Sequence, residues 1–206
     1  MKKSNFLEGA FIATSAIILT KILGVIYVIP FYSIIGEQGG ALYGYSYTIY
    51  NFFLSLSTVG FPLAISKLTS EYNTLGMNAE KVRLYKISKI FILIFSLICF
   101  LICFIFAPQV ANLIIGNIEN GNTIEDVSFT IRMVSFALLV IPLLSIMRGY
   151  LQGHKYIKEP SLSQVIEQVV RVIVILLGSY LTLKVFHLSL RTTIGVAVFA
   201  SCAGGI

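Results

Sequence analysis

The stretch 10–35, AFIATSAIILTKILGVIYVIPFYSII, constrains this chain more than any other, because it runs for 26 residues with a single charge, Lys21. As a helix rising about 1.5 Å per residue it would measure roughly 39 Å, enough to cross a hydrocarbon core about 30 Å thick with some tilt. A lysine near the middle of such a span costs on the order of 2.5 to 3.5 kcal/mol on insertion scales; the surrounding Ile and Leu offset that cost without explaining the lysine. At 100° per residue, Thr14, Thr20, Lys21, Gly24 and Tyr27 share a face about 140° wide, while Ile17, Ile18, Leu19, Val25 and Ile26 fall mostly elsewhere. That face is expected to look into protein or water. The alternative, that Lys21 snorkels to an interface, is strained by the ten or so apolar residues on either side of it. Gly24 and Pro30 are the expected breaks in this span, since proline removes a backbone donor.

Composition agrees with a membrane protein. The chain is 57% hydrophobic with mean hydropathy +0.89 and 12% charged, where soluble domains carry about 25% charged residues. Its net charge of +6 does not point to nucleic acid, because the basic residues sit at the ends of apolar runs, where they orient spans and meet anionic headgroups. Cys99, Cys103 and Cys202 lie inside apolar runs with no CxxC or Cys/His spacing. They read as small core residues, so no disulfide, metal site or cofactor is expected.

The pattern predicts an all-α, polytopic membrane helix bundle: one lobe, 1–206, of six spans at about 10–35, 42–65, 87–107, 128–147, 161–186 and 192–206. Residues 1–9 are basic through Lys2 and Lys3 like a signal-peptide n-region, yet the apolar run that follows is too long and lacks an A-x-A site. Residues 36–40, GEQGG, are expected to form a tight outer turn. In span two, Tyr43, Tyr47, Tyr50, Asn51, Ser55 and Thr58 share one face. Interhelical hydrogen bonding explains any one of them, but less readily all six. Gly60 and Pro62 are expected to bend the end of this span, with 66–72 continuing helically into the cytoplasm before a basic loop holding Lys67, Lys81, Arg83, Lys86 and Lys89.

Within span three, residues 90–107 carry Ser96 as their only polar side chain and are expected to face lipid over much of their surface. An outer acidic loop, with Glu119, Glu125 and Asp126, follows Pro108, and Arg132 is expected to anchor the outer end of span four. Residues 148–160 then read as a basic cytoplasmic loop hinged at Gly149 and Gly153, with Arg148 at the membrane rim; plain positive-inside anchoring is the alternative. In span five, Ser161, Gln164, Glu167, Gln168 and Arg171 share a face. Glu167 and Arg171 stand at i,i+4 in the favourable order for an ion pair, either in a solvated interfacial turn or lining a cavity. The last apolar run reaches Ile206 without a flanking charge, so the chain is expected to continue. Ten basic residues fall on the side of the amino terminus and three on the other, which predicts a cytoplasmic N-terminus.

The segments KILGVIYVIPFY, IGEQGGALYGYSYTIYN, STVGFPLAISKLTSEYN and RGYLQGHKYIKEPSLSQVIEQVVRV together resemble the start of bacterial polysaccharide biosynthesis proteins of the stage V sporulation protein B type. Those belong to the multidrug, oligosaccharidyl-lipid and polysaccharide exporter superfamily, with the lipid II flippases. The resemblance implies a V-shaped transporter of twelve or more helices in two lobes, of which this chain is the first and a C-terminal lobe is missing. It also implies a cationic central cavity for the pyrophosphate of a lipid-linked sugar. Lys21 matches a basic position of the family's first helix, whereas Val28 and Ser33 stand where relatives often carry further basic residues.

Physical reasoning points the same way. An embedded cation beside a hydroxyl-lined helix suits an anionic substrate rich in hydroxyls, and the expected substrate contacts are Lys21, Tyr27, Tyr43, Tyr47, Asn51, Glu167 and Arg171. Moving an anion outward is favoured by about 2.3 kcal/mol per charge per 100 mV, so the membrane potential, with or without a coupling ion, can supply drive. The expected function is therefore flipping of a lipid-linked anionic oligosaccharide or peptidoglycan precursor between leaflets by alternating access. A drug or cation antiporter of the same superfamily is the alternative, but it needs a free carboxylate deep in the membrane, and Glu167 already faces Arg171. An enzyme would need converging catalytic groups. His154 and His187 are predicted on opposite sides of the membrane, so no catalytic residue is expected.

Overall fold

A computed structural model describes residues 6–58, 60–116 and 121–204; Lys2, Lys3, Glu119 and Ile206 lie outside the described residues. The order is α1 (Phe6–Ile26), α2 (Val28–Thr58), α3 (Phe61–Thr74), α4 (Asn78–Ile105), α5 (Ala107–Ile115), α6 (Ile124–Ser135), α7 (Ala137–Gly153), α8 (Lys158–Tyr180), a π-helical turn (Leu181–Val185) and α9 (Leu190–Ala203). There is no strand among the described residues. Five helical stretches, Leu7–Ile26, Val28–Thr74, Asn78–Ile105, Ile124–Gly153 and Lys158–Val185, are long and apolar enough to cross a membrane, and the apolar α9 is shorter.

Local sequence explains three of the junctions. Pro30 has no N–H for the carbonyl of Ile26, and the first span breaks at Tyr27, three residues before the proline. The turn expected over 36–40 is condensed into one residue. Gly36 takes φ 69°, ψ −174°, a region essentially reserved for glycine. Gly39 and Gly40 are already helical, and a Cβ on Gly40 would fall 2.5 Å from the Tyr32 ring. The returning helix therefore starts directly against the one it leaves. Gly60, at φ 90°, separates α2 from α3, whose first turn holds Pro62, as the bend expected there requires.

Three expected boundaries move. Span three was expected from about 87, yet α4 starts at Asn78. Lys81 is only 8% exposed and donates from Nζ to the side-chain oxygens of Asn73 (3.1 Å) and Asn78 (2.9 Å). It thereby ties the α3–α4 turn and lets the helix begin in the basic segment. The described part of the outer segment begins as a helix around Pro108, α5, which ends at Ile115. The segment ends in a capping box: Thr123 Oγ1 accepts from the Asp126 amide (3.2 Å), and Asp126 Oδ2 accepts from the Thr123 amide (3.1 Å). The loop expected over 148–160 shrinks to 154–157, because α7 runs on to Gly153.

Side chains from α2, α6, α8 and α9 meet in a core that includes Phe31, Leu42, Ile131, Ile175 and Ile194, each at most 1% exposed. Ser46 on α2 donates to Thr130 on α6 at 2.6 Å inside it. On α4, Ile92, Ser96, Cys99 and Cys103 face inward at helical spacing while Phe91, Ile94, Leu97, Ile98 and Leu101 face out, the division a lipid-facing helix needs. Gly149 and Gly153 bring α7 onto α3. A Cβ on Gly149 would lie 2.4 Å from the Pro62 carbonyl oxygen, and one on Gly153 would lie 2.6 Å from that of Ser66.

Candidate functional site

Two polar groups that were separate in the sequence become one seam. The first is a ladder of rings along the junction of the first two spans. The Tyr27 and Tyr43 hydroxyls are 3.3 Å apart. Tyr43 stacks on Tyr47 with ring centroids 5.3 Å apart, and Tyr47 continues to Tyr50 at 5.5 Å. Phe31 closes the near end edge-on to Tyr43 at 5.0 Å. The tyrosines recur at positions 43, 47 and 50 because spacings of four and three residues keep them on one face of α2.

The second group is an ion triad between α7 and α8. Glu167 Oε1 accepts from Arg171 Nη2 at 2.6 Å, the expected i,i+4 pair, and Oε2 accepts from Arg148 Nη2 at 2.7 Å. Arg148 Nη2 also donates to Ser163 Oγ at 2.9 Å. Glu167 stands nine residues into α8, about 14 Å from its start at 1.5 Å per residue. All three side chains are largely withdrawn from solvent, at 10% to 15% exposure.

Arg171 joins the two groups, since it lies within electrostatic reach of Tyr43, Tyr47 and Tyr50. Two guanidiniums against one carboxylate leave one positive charge. Nε of Arg148, Nε of Arg171 and the Tyr50 hydroxyl are buried without a hydrogen-bond partner among the described residues. Each such donor forgoes on the order of 1 to 3 kcal/mol. Tyr43 and Tyr50 are buried in the core at 7% and 1% exposure, so the seam presents the half-buried Tyr27 and Tyr47 and an excess of positive charge, a set that suits a phosphate attached to a polyhydroxyl group.

Of the residues expected to contact substrate, Tyr27, Tyr43, Tyr47, Glu167 and Arg171 come together here. Lys21 and Asn51 do not join the hydrogen-bonded seam: both are exposed and make no hydrogen bond or ion pair among the described residues. Gly24 on α1 packs toward α8, because a Cβ there would lie 3.5 Å from Gln168 Nε2, and Tyr27 belongs to the ladder, whereas Lys21 lies on the exposed side of α1. Arg148, expected at the rim, is instead a member of the triad, and Tyr50 extends the ladder. Gly149 and Gly153, expected as hinge residues of a loop, are helix-packing residues against α3.

The match to families of known proteins falls on this architecture. The family described as polysaccharide biosynthesis protein matches residues 6–206. The chain is a member of that family. Lipid II flippase MurJ of Bacillus subtilis (strain 168) is 41% identical over 202 residues, which cover 98% of this chain and 37% of that protein. Stage V sporulation protein B of the same organism is 29% identical over 172 residues, covering 84% of this chain and 32% of the relative. A solved MOP superfamily transporter from Pyrococcus furiosus Vc1 (DSM3638) superposes on 96% of this chain and 43% of its own, with TM-score 0.69 and 13% identity, which shows a shared fold. The chain thus spans about a third of the length of the curated relatives it matches. With its long apolar helices and these relatives, it is a multi-pass membrane protein.

Proposed function

We propose that the chain forms the first lobe of a flippase that moves a lipid-linked, anionic saccharide, such as a peptidoglycan precursor, from the inner to the outer leaflet. Its N-terminus is cytoplasmic in this reading, a second lobe of the same chain completes the cavity, and no catalytic step is involved. The observation that carries it is the junction of the tyrosine ladder with Arg171 in a triad of net positive charge. In this reading the half-buried Tyr27 and Tyr47 offer ring faces and hydroxyls to the sugar, and Arg171, together with the exposed Lys21 of α1, offers cations to the phosphate. The kinship to a flippase supports the same reading.

An antiporter needs a carboxylate free to take up a cation or proton. Of the two carboxylates of α8, Glu159 sits in its first turn and Glu167, two turns deeper, is held by two arginines, which favours the flippase. The test is transport of a fluorescent lipid-linked disaccharide by the full-length protein in proteoliposomes. Arg171→Gln is expected to reduce transport at least tenfold at normal insertion, with Arg171→Lys retaining part of it. Unchanged transport in the Gln variant would remove the seam from the mechanism.

A further inference from the structure

A second polar concavity lies outside the seam, at the end of the lobe formed by α3, the start of α1 and the end of α7. One recess of about 580 Å³ is lined by Ser66, Lys67, Ser70, Glu71, Thr74 and Gln152, with Leu63 at its edge. A second, of about 300 Å³, is lined by Gly9, Ala10, Ala13 and Ile157 together with the same Ser66 and Gln152. The shared residues make the two one trough.

Its polar side chains are engaged differently from several hydroxyls elsewhere in the lobe. Thr48, Ser55, Thr58 and Thr182 each donate a hydroxyl to the carbonyl of their own helix. By contrast, the side chains of Ser66, Lys67, Ser70, Glu71 and Gln152 make no hydrogen bond or ion pair among the described residues. The hydroxyls at 66 and 70 are four residues apart along α3, and so line one side, while Thr74, four residues further on, donates its hydroxyl to the Ser70 carbonyl at 2.9 Å. Lys67 donates, Glu71 accepts, and the Gln152 amide does both.

We propose that this trough is a docking subsite for the saccharide of the lipid-linked substrate, an inference that rests on the transport reading above. A sugar hydroxyl both donates and accepts, so it needs a mixed lining of this kind. Lys67 and Glu71 cancel in charge, so the lining holds no net positive charge for a phosphate, and an acyl chain would find polar walls. The position also fits. Gln152 is one helical turn from Arg148, about 6 Å along α7, so a sugar in the trough leaves its phosphate next to the Arg148–Glu167–Arg171 triad.

The test uses the full-length protein in nanodiscs and two probes: a polyprenyl pyrophosphate, and the same lipid carrying a disaccharide. Wild type should bind the glycosylated probe more tightly. Glu71→Ala with Gln152→Ala, at exposed or half-buried helical positions where alanine preserves the helix, should weaken the glycosylated probe about tenfold, the scale of one or two lost hydrogen bonds, and leave the bare lipid unchanged. Arg171→Gln should weaken both. Equal loss of both probes in the double variant, no loss of either, or a wild type indifferent to the sugar would each overturn the trough while leaving the transport reading standing. A wild type that binds neither probe overturns both.

Discussion

Glu167 on α8 meets Arg148 on α7 at 2.7 Å, and its other oxygen meets Arg171 one turn along α8 at 2.6 Å. With all three side chains at 10% to 15% exposure, the charges have given up most of their hydration, and their mutual attraction has to offset that loss. Breaking such a cluster costs more than never having built it. Glu167→Gln leaves two guanidiniums facing each other and should destabilise the protein by roughly 3 to 5 kcal/mol. Arg148→Met combined with Glu167→Gln should cost less than the sum of the two single changes. Thermal melting in detergent, arranged as a double-mutant cycle, measures the difference; additive losses would mean that the pair is not coupled.

The α3–α7 contact makes a second prediction, about the two glycines of α7. A Cβ on Gly149 would meet the Pro62 backbone at 2.4 Å and one on Gly153 the Ser66 carbonyl and Thr69 at 2.6 Å. Backbone cannot move aside as a flexible side chain can, so Gly149→Ala and Gly153→Ala should each cost about 1 to 3 kcal/mol. Gly44 on α2 is the control, since a Cβ there meets nothing within 4 Å. Gly44→Ala should leave stability unchanged or raise it by up to about 1 kcal/mol. If all three variants melt alike, the close approach of α7 to α3 is wrong.

How much of this was legible beforehand follows the range of the interaction concerned. The polar stripe at 43, 47 and 50 and the Glu167–Arg171 pair depend on spacing along one helix, and both stood in the sequence; where six spans were expected, five helical stretches are long and apolar enough to cross a membrane, with other bounds. The bend at Gly60 and Pro62 was equally local. Arg148 was misread because its partner is 19 residues away on another helix, and a basic residue after an apolar run looks like an interfacial anchor. Gly149 and Gly153 were misread for the same reason: a glycine that admits a neighbouring backbone and one that permits bending are indistinguishable until the neighbour is known. Lys81 shows the converse. It sits in the densest basic segment, yet two nearby asparagines convert it from a solvated charge into a turn lock.

Orientation can be tested directly. Glu37 and Glu80 are both exposed and lie at opposite ends of the lobe's helices, Glu37 just after the Gly36 turn and Glu80 in the first turn of α4. With Cys99, Cys103 and Cys202 changed to serine, a cysteine at position 37 should react with an impermeant thiol reagent added outside intact cells. One at position 80 should react only after permeabilisation. Reversed labelling would turn the lobe over and make the direction of transport inward.

Lys21 decides whether α1 takes part in binding. It is exposed on the lobe and unpaired among the described residues, so removing its charge breaks no contact and relieves an insertion cost of about 2.5 to 3.5 kcal/mol. Lys21→Gln should therefore reach the membrane in equal or greater amount. If the lysine only snorkels, that variant should also function normally. If it meets substrate phosphate, activity of the full-length protein should fall at least tenfold while abundance holds. Lys21→Arg keeps the charge and adds a fork that matches phosphate oxygens, so activity should survive in part. Lys21→Glu should be the worst of the three, because it sets like charge beside the substrate. Complementation of a flippase-depleted strain, scored against the membrane abundance of each variant, provides the measurement. Full complementation by the Gln and Glu variants alike would leave phosphate binding to Arg171 and the triad alone.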